Sequence, residues 1–128
     1  MQITIKNEIN LDGEIELIEM VYPLEVTEKN NQIYLIYIND EEEKVVIKAN
    51  EEELVMTRFS TPKSHMRFIA EKEIIITIPT ALGIQHFVTD TKFYTLNREQ
   101  GEITLNYALK QLGSEQVFAY YHMTMVWE

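Results

Sequence analysis

His65, His86 and His122 are the first side chains in this sequence that could do chemistry, since neutral imidazole both ligates metals and titrates near physiological pH. They are far apart and form no His-x-His or His-x-x-x-His pair, so no metal site is expected. His86 and Asp90 are separated by about 13 Å of extended strand, too far to share one small ligand unless the strand bends. The acidic runs Asp40 to Glu43 and Glu51 to Glu53 offer oxygen ligands but lack the Asp/Asn-Gly spacing of a calcium loop, and they read as solubilising turns. Ser60, Ser64 and Ser114 sit in turns or loops, there is no Gly-x-Ser-x-Gly elbow, and the chain has no cysteine. Gly13, Gly83, Gly101 and Gly113 are isolated and make no phosphate cradle. No catalytic residue is assigned and no cofactor is expected.

Arg58 and Arg67 carry more information, because each lies in an expected strand between large apolar residues. An inward arginine must be paired with a carboxylate or reserved for an anionic ligand, since an unpaired buried charge is very costly. Pointing outward, it would cover apolar surface with its stem. Tyr34, Tyr37, Tyr107, Tyr120 and Tyr121, with Met56, Met123 and Met125, either line an adaptable cavity or fill a core. The candidate binding set is therefore Arg58, Arg67, Tyr34, Tyr107 and Met123. Its ligand would be small and apolar or amphipathic, with an acidic head on a strand arginine.

The elements that must position these residues are strands. In the last third, Ile103, Leu105, Tyr107 and Leu109 alternate with polar residues, and Val117 to Trp127 follows after a turn at Leu112-Gly113-Ser114. Both rows of that last segment are apolar enough to be buried. A three-residue loop closing on Gly113 pairs odd positions with odd and sends Ala119, Tyr121, Met123, Met125 and Trp127 inward, leaving His122 outside; a slip of one residue would invert every side chain. At the other end, Ile3 to Leu11 is a strand closed by the turn signal Asp12-Gly13. On the return the apolar parity changes at Leu17-Ile18, which predicts a β-bulge or bend. Ile33 to Ile38 is apolar on both faces, Pro62 marks a loop, and no stretch holds a helical period. The pattern predicts a single all-β domain over residues 1–128, an antiparallel calycin- or lipocalin-like β-barrel of about eight to ten strands in preference to two packed sheets.

A net charge of -10 opposes nucleic acid, whose binding needs clustered Lys and Arg. The opening residues alternate at once and lack a basic segment followed by an apolar run, so no export is expected. The uncharged stretch Ile74 to Thr89 is too short and too β-branched to span a membrane as a helix, and the expected location is the cytoplasm.

Arg58 after a hydrophobic strand, Met66-Arg67-Phe68 before Glu71-Lys72, Thr80-Ala81-Leu82-Gly83, and the closing hairpin from Ile103 to Trp127 together resemble the YwiB-like proteins. These are a family of small uncharacterised bacterial proteins assigned a calycin-like β-barrel, and the likeness runs over essentially the whole chain. Ala81-Leu82 replace a Pro-Tyr that relatives tend to carry, Ser60 replaces a Gly, and His122 replaces an Asn. The resemblance implies the barrel and, for function, a small-molecule binding site. The competing expectation is a protein-interaction module or homodimer using the outer face of the C-terminal hairpin, should Phe118, Tyr120 and Val126 be exposed.

Overall fold

Alternating apolar and polar residues carry most of the chain into antiparallel strands, and the computed structural model, which describes residues 1–128, contains no helix. Eleven strands form in order: β1 (Gln2–Leu11), β2 (Glu14–Pro23), β3 (Glu25–Lys29), β4 (Gln32–Ile38), β5 (Lys44–Ala49), β6 (Glu53–Arg58), β7 (Ser64–Ile69), β8 (Glu73–Thr80), β9 (Gly83–Asn97), β10 (Glu102–Gln111) and β11 (Val117–Trp127). They make a six-stranded sheet, β2-β1-β11-β10-β9-β8, and a five-stranded sheet, β3-β4-β5-β6-β7.

The core lies between the inner faces of the two sheets. Ile3 and Ile5 of β1, Ile103, Leu105 and Tyr107 of β10, and Met123, Met125 and Trp127 of β11 pack with Ile33, Leu35, Tyr37, Val45, Ile47, Leu54 and Phe68. In the closing hairpin Leu105 faces Met123 and Tyr107 faces Tyr121, so odd positions pair with odd and point inward. The loop spans residues 112–116, longer than the expected three, and a register shift at Leu109/Lys110 absorbs the difference.

Two other expectations change. No bulge exists at Leu17-Ile18, because β1 and β2 pair without a shift from Leu11–Glu14 to Gln2–Pro23. The parity changes because Ile15 and Leu17 are apolar residues on the outer face, while Ile18, Met20 and Tyr22 are on the inner one. The barrel is also not closed by hydrogen bonds, since no ladder joins β2 to β3 or β7 to β8. What reads as one strand from Ile18 to Val26 breaks at Pro23-Leu24, where the chain changes sheet, and this adds to the strand count. At that crossing Leu24 N donates to Met1 O at 2.9 Å. On the other side, Glu71 N donates to Thr91 O at 2.8 Å and Thr91 N to Lys72 O at 3.2 Å.

Side chains fasten the sheets where ladders do not. Tyr94 on β9 donates its hydroxyl to Asn50 O at 2.6 Å in the β5–β6 turn. Arg98, just after β9, reaches Glu51 at 2.8 Å, Glu28 at 3.3 Å and Asn31 O at 2.6 Å, and so holds the β3–β4 and β5–β6 turns together.

Candidate functional site

The five candidate binding residues fall in three places. Tyr107 and Met123 are buried in the core: the Tyr107 ring stacks on Tyr121 and meets Phe68 at an angle, both with centroids 4.6 Å apart. Burial, with the neighbouring Tyr121, holds the Tyr107 phenol well above its usual pKa. Tyr34 and Arg67 lie on the outer face of the five-stranded sheet, in the cross-strand row Tyr34–Lys48–Val55–Arg67. There Arg67 gives both Nε (2.9 Å) and Nη2 (2.8 Å) to Glu53 Oε2, which makes it an ion-paired surface arginine.

Arg58 is the exception. It ends β6 opposite Val45 and Ser64, with the parity of the inner face, yet its side chain is 48% exposed and its contact with Glu43 is long at 3.7 Å. Burial pushes the nearby Tyr37 phenol up to about 12, and the Arg58 charge works against that rise. Around Arg58, Met56, Ser64, Met66 and Ile78 line a notch of about 160 Å³. Ligand pockets for drug-sized molecules run from about 300 Å³, so this notch takes only a small group unless the methionines move. A wider depression of about 490 Å³ opens at the Pro23-Leu24 crossing, lined by Leu24, Ile36, Tyr37 and Ile38 among others.

The outer face of the six-stranded sheet has the opposite character. Phe118 and Tyr120 on β11 are 57% and 55% exposed, and Val126 is exposed beyond them. Across β1, Leu17 on β2 is 76% exposed, with Ile15 and Val21 on the same face. Registers join these into rows: Ile15–Asn10–Tyr120, Leu17–Glu8–His122 and Val21–Thr4–Val126. Beside the middle row, a depression of about 420 Å³ is lined by Lys6, Glu8, Leu17, Glu19 and His122 among others. Single apolar residues on a surface need no explanation, but here six stand on one face in two ridges, with the polar side chains of β1 between them, and apolar surface gathered on one face suits a partner.

Each histidine is bonded to a cross-strand neighbour on an outer surface: His65 to Thr57 at 3.0 Å, His86 to Thr77 at 3.2 Å, and His122 to Asn106. No three His, Asp or Glu side chains gather into a metal-sized cluster. At the far edge of the same sheet Lys110 joins Glu73 (2.8 Å) and Asp90 (3.1 Å), and Lys92 reaches Asp90 at 2.9 Å. Burial would raise the Asp90 pKa, but the hydrogen bonds from Lys92 and Lys110 prevail and hold it below the usual range. The sequence pattern did not single out Arg98 or Lys110, because each works through partners distant in the chain, and it set Asp90 only beside His86, not with Lys92 and Lys110. It did contain a signal for the β2 surface: the apolar parity change at Leu17-Ile18 marks Ile15 and Leu17 as outward-facing.

A family model described as a domain of unknown function, DUF1934, matches residues 3–125. The fold is also that of the crystal structure of the ywiB protein from Bacillus subtilis, with a TM-score of 0.80 and 26% sequence identity over 97% of this chain and 87% of that one. Among curated proteins none matches the chain. No helix is long and apolar enough to cross a membrane.

Proposed function

We propose that this chain, which belongs to the DUF1934 family of domains of unknown function, is a cytoplasmic protein-docking module that uses the outer face of its six-stranded sheet. The observation that carries this reading is the pair of exposed apolar rows, Phe118, Tyr120 and Val126 on β11 and Ile15, Leu17 and Val21 on β2, flanking the same strand. A face of that kind costs solubility and gains from a partner. The notch beside Arg58, at about 160 Å³, is small for an apolar ligand of ordinary size, which weighs toward the docking reading.

A photo-crosslinking residue placed at Tyr120 in living cells tests it, with the same residue at Glu42 in the exposed β4–β5 turn as the control. Discrete adducts at Tyr120 that disappear with Leu17→Glu are expected. No adduct, or the same set from both positions, overturns the docking reading.

A second reading rests on Arg58, whose inner-face parity, long ion pair and methionine-lined notch suit the acidic head of a small amphipathic molecule. Native mass spectrometry of protein purified from its own cells would show a retained adduct that Arg58→Gln releases. A bare mass, unchanged by the substitution, would remove this reading.

A further inference from the structure

We infer that the partner docks as an extended segment of alternating apolar and basic residues, which adds a strand to the free edge of β2. This inference rests on the docking reading and specifies the partner's chemistry. β2 ends the six-stranded sheet, with β1 on one side and no strand on the other. Asp12 (φ 51) and Gly13 (φ 82) form a two-residue turn with both dihedrals positive, so the closing pair Leu11–Glu14 is hydrogen-bonded and even-numbered residues of β2 bond to β1. The contact from Leu24 N to Met1 O at 2.9 Å keeps the same parity beyond Pro23. The amides and carbonyls of Ile15, Leu17, Glu19 and Val21 therefore point to the open edge.

The residues with free backbone groups are thus also those whose side chains lie on the outer face, three of them apolar. An added strand would extend the main-chain ladder and set its own apolar residues beside Ile15, Leu17 and Val21. Its alternate residues would fall on the opposite face, beside Glu14 and Glu16, which are exposed and form no ion pair. Glu19 and Glu8 add negative charge on the outer side, against Lys6 alone. Complementarity therefore calls for Lys or Arg at the partner positions that pass Glu14 and Glu16. A second copy is disfavoured, since it would bring the same glutamates and another net charge of -10 to the edge.

The test uses the full chain and two capped peptides, one alternating Lys and Val and one alternating Glu and Val, with amide exchange followed by NMR. At about ten times its Kd, the basic peptide is expected to slow exchange at Ile15, Leu17, Glu19 and Val21 about tenfold, because binding protects by the factor 1 + [L]/Kd. The acidic peptide should protect none of them. Glu14→Lys combined with Glu16→Lys should reverse that preference. Leu17→Pro removes one edge-facing N–H without touching the β1 ladder and should abolish protection by the basic peptide; thermal unfolding checks that each variant is folded.

Protection confined to another edge, such as β8, overturns the inference. So does equal binding by both peptides, or basic-peptide shifts centred on the Glu41–Glu43 and Glu51–Glu53 turns. Self-association with β2 protected in the absence of peptide replaces the basic segment with a second copy. Adducts at Tyr120 in cells without β2 protection in vitro would sink edge addition while leaving docking standing, and the converse result would sink docking alone.

Discussion

Replacing Gly101 by alanine tests whether the register of β11, and with it both of its faces, is anchored at the β9–β10 turn. Gly101 has φ +67, and a Cβ built there would lie 2.6 Å from Trp127 O and 3.2 Å from the indole nitrogen. The backbone oxygen cannot move aside as a flexible side chain can. Gly101 O also accepts from Trp127 N at 2.9 Å, and Trp127 is 6% exposed. The left-handed conformation costs an alanine about 1 kcal/mol, loss of the displaced hydrogen bond about 1 kcal/mol, and loosening of the buried indole about 1 kcal/mol. Gly101→Ala should thus destabilise by about 3 kcal/mol. Gly113→Ala is the control: its φ is +80 but a Cβ meets nothing within 4 Å, which leaves the conformational cost of about 1 kcal/mol. Urea unfolding, followed by the fluorescence of Trp127 and independently by circular dichroism, measures both. The difference of about 2 kcal/mol corresponds to about 7 °C in Tm for a domain of this size. Equal losses in the two variants would refute the steric account and show that the turn conformation alone matters.

Tyr94→Phe removes the hydroxyl bonded to Asn50 O at 2.6 Å and should cost about 1 kcal/mol in the same denaturation assay; no loss would show that the β5–β6 turn is held by Arg98 and its carboxylates instead. In acid, Asp90 has a folded pKa below its unfolded value, so its contribution is full above about pH 4 and is lost as pH falls through the folded pKa. Asp90→Asn should therefore flatten the acid limb of a stability-against-pH curve, and an unchanged limb would place the loss elsewhere. In alkali the sign reverses. Burial raises the Tyr37 phenol to about 12 and the Tyr94 and Tyr107 phenols further, so stability is full below about pH 10 and falls as pH rises toward the folded values. Ultraviolet difference titration should show part of the phenolate signal appearing only with unfolding, whereas one reversible step for every tyrosine would contradict that burial.

Strand content and antiparallel class were legible because period-two alternation is a local signal, clearest at Ile3 to Leu11 and Ile103 to Leu109. The inward row of β11 was legible from the chemistry of its competitor row, which contains His122 and Thr124. What failed was anything that depends on where a strand stops being covered. Ile15 and Leu17 looked like a core row with a bulge behind it, yet the ladder to β1 is unbroken and both are simply outside. The crossing at Pro23-Leu24 was read through for the same reason, since Tyr22 and Leu24 are both buried although the strand breaks between them. Among the candidate binders, Tyr107 and Met123 lie in the buried core cluster, the second of the two roles their residue types allowed. Arg67 follows the outward alternative that residue type left open, its charge answered by Glu53 on the neighbouring strand.

The two apolar rows of β11 pose a packing problem that this chain solves only once. Its five-stranded sheet, with strands of five to seven residues, covers one face of a sheet whose strands run to fifteen, and it buries Met123, Met125 and Trp127. Nothing in the chain covers Phe118, Tyr120 and Val126 on the other face. The exposed apolar residues are separated rather than buried: Asn10, Glu8, Lys6 and Thr4 of β1 run as a polar furrow between the β2 and β11 rows, so the apolar side chains stand as two ridges. A strand added at the β2 edge would widen the nearer ridge without crossing that furrow. The ridge on β11 would then be free to meet the remainder of the partner, so that edge addition supplies register through the main chain and Tyr120 and Phe118 supply apolar area. The two contributions are separable in principle, since Leu17→Pro acts on the first and substitution of Tyr120 on the second, and their coupling in a double-mutant cycle measures whether one partner engages both.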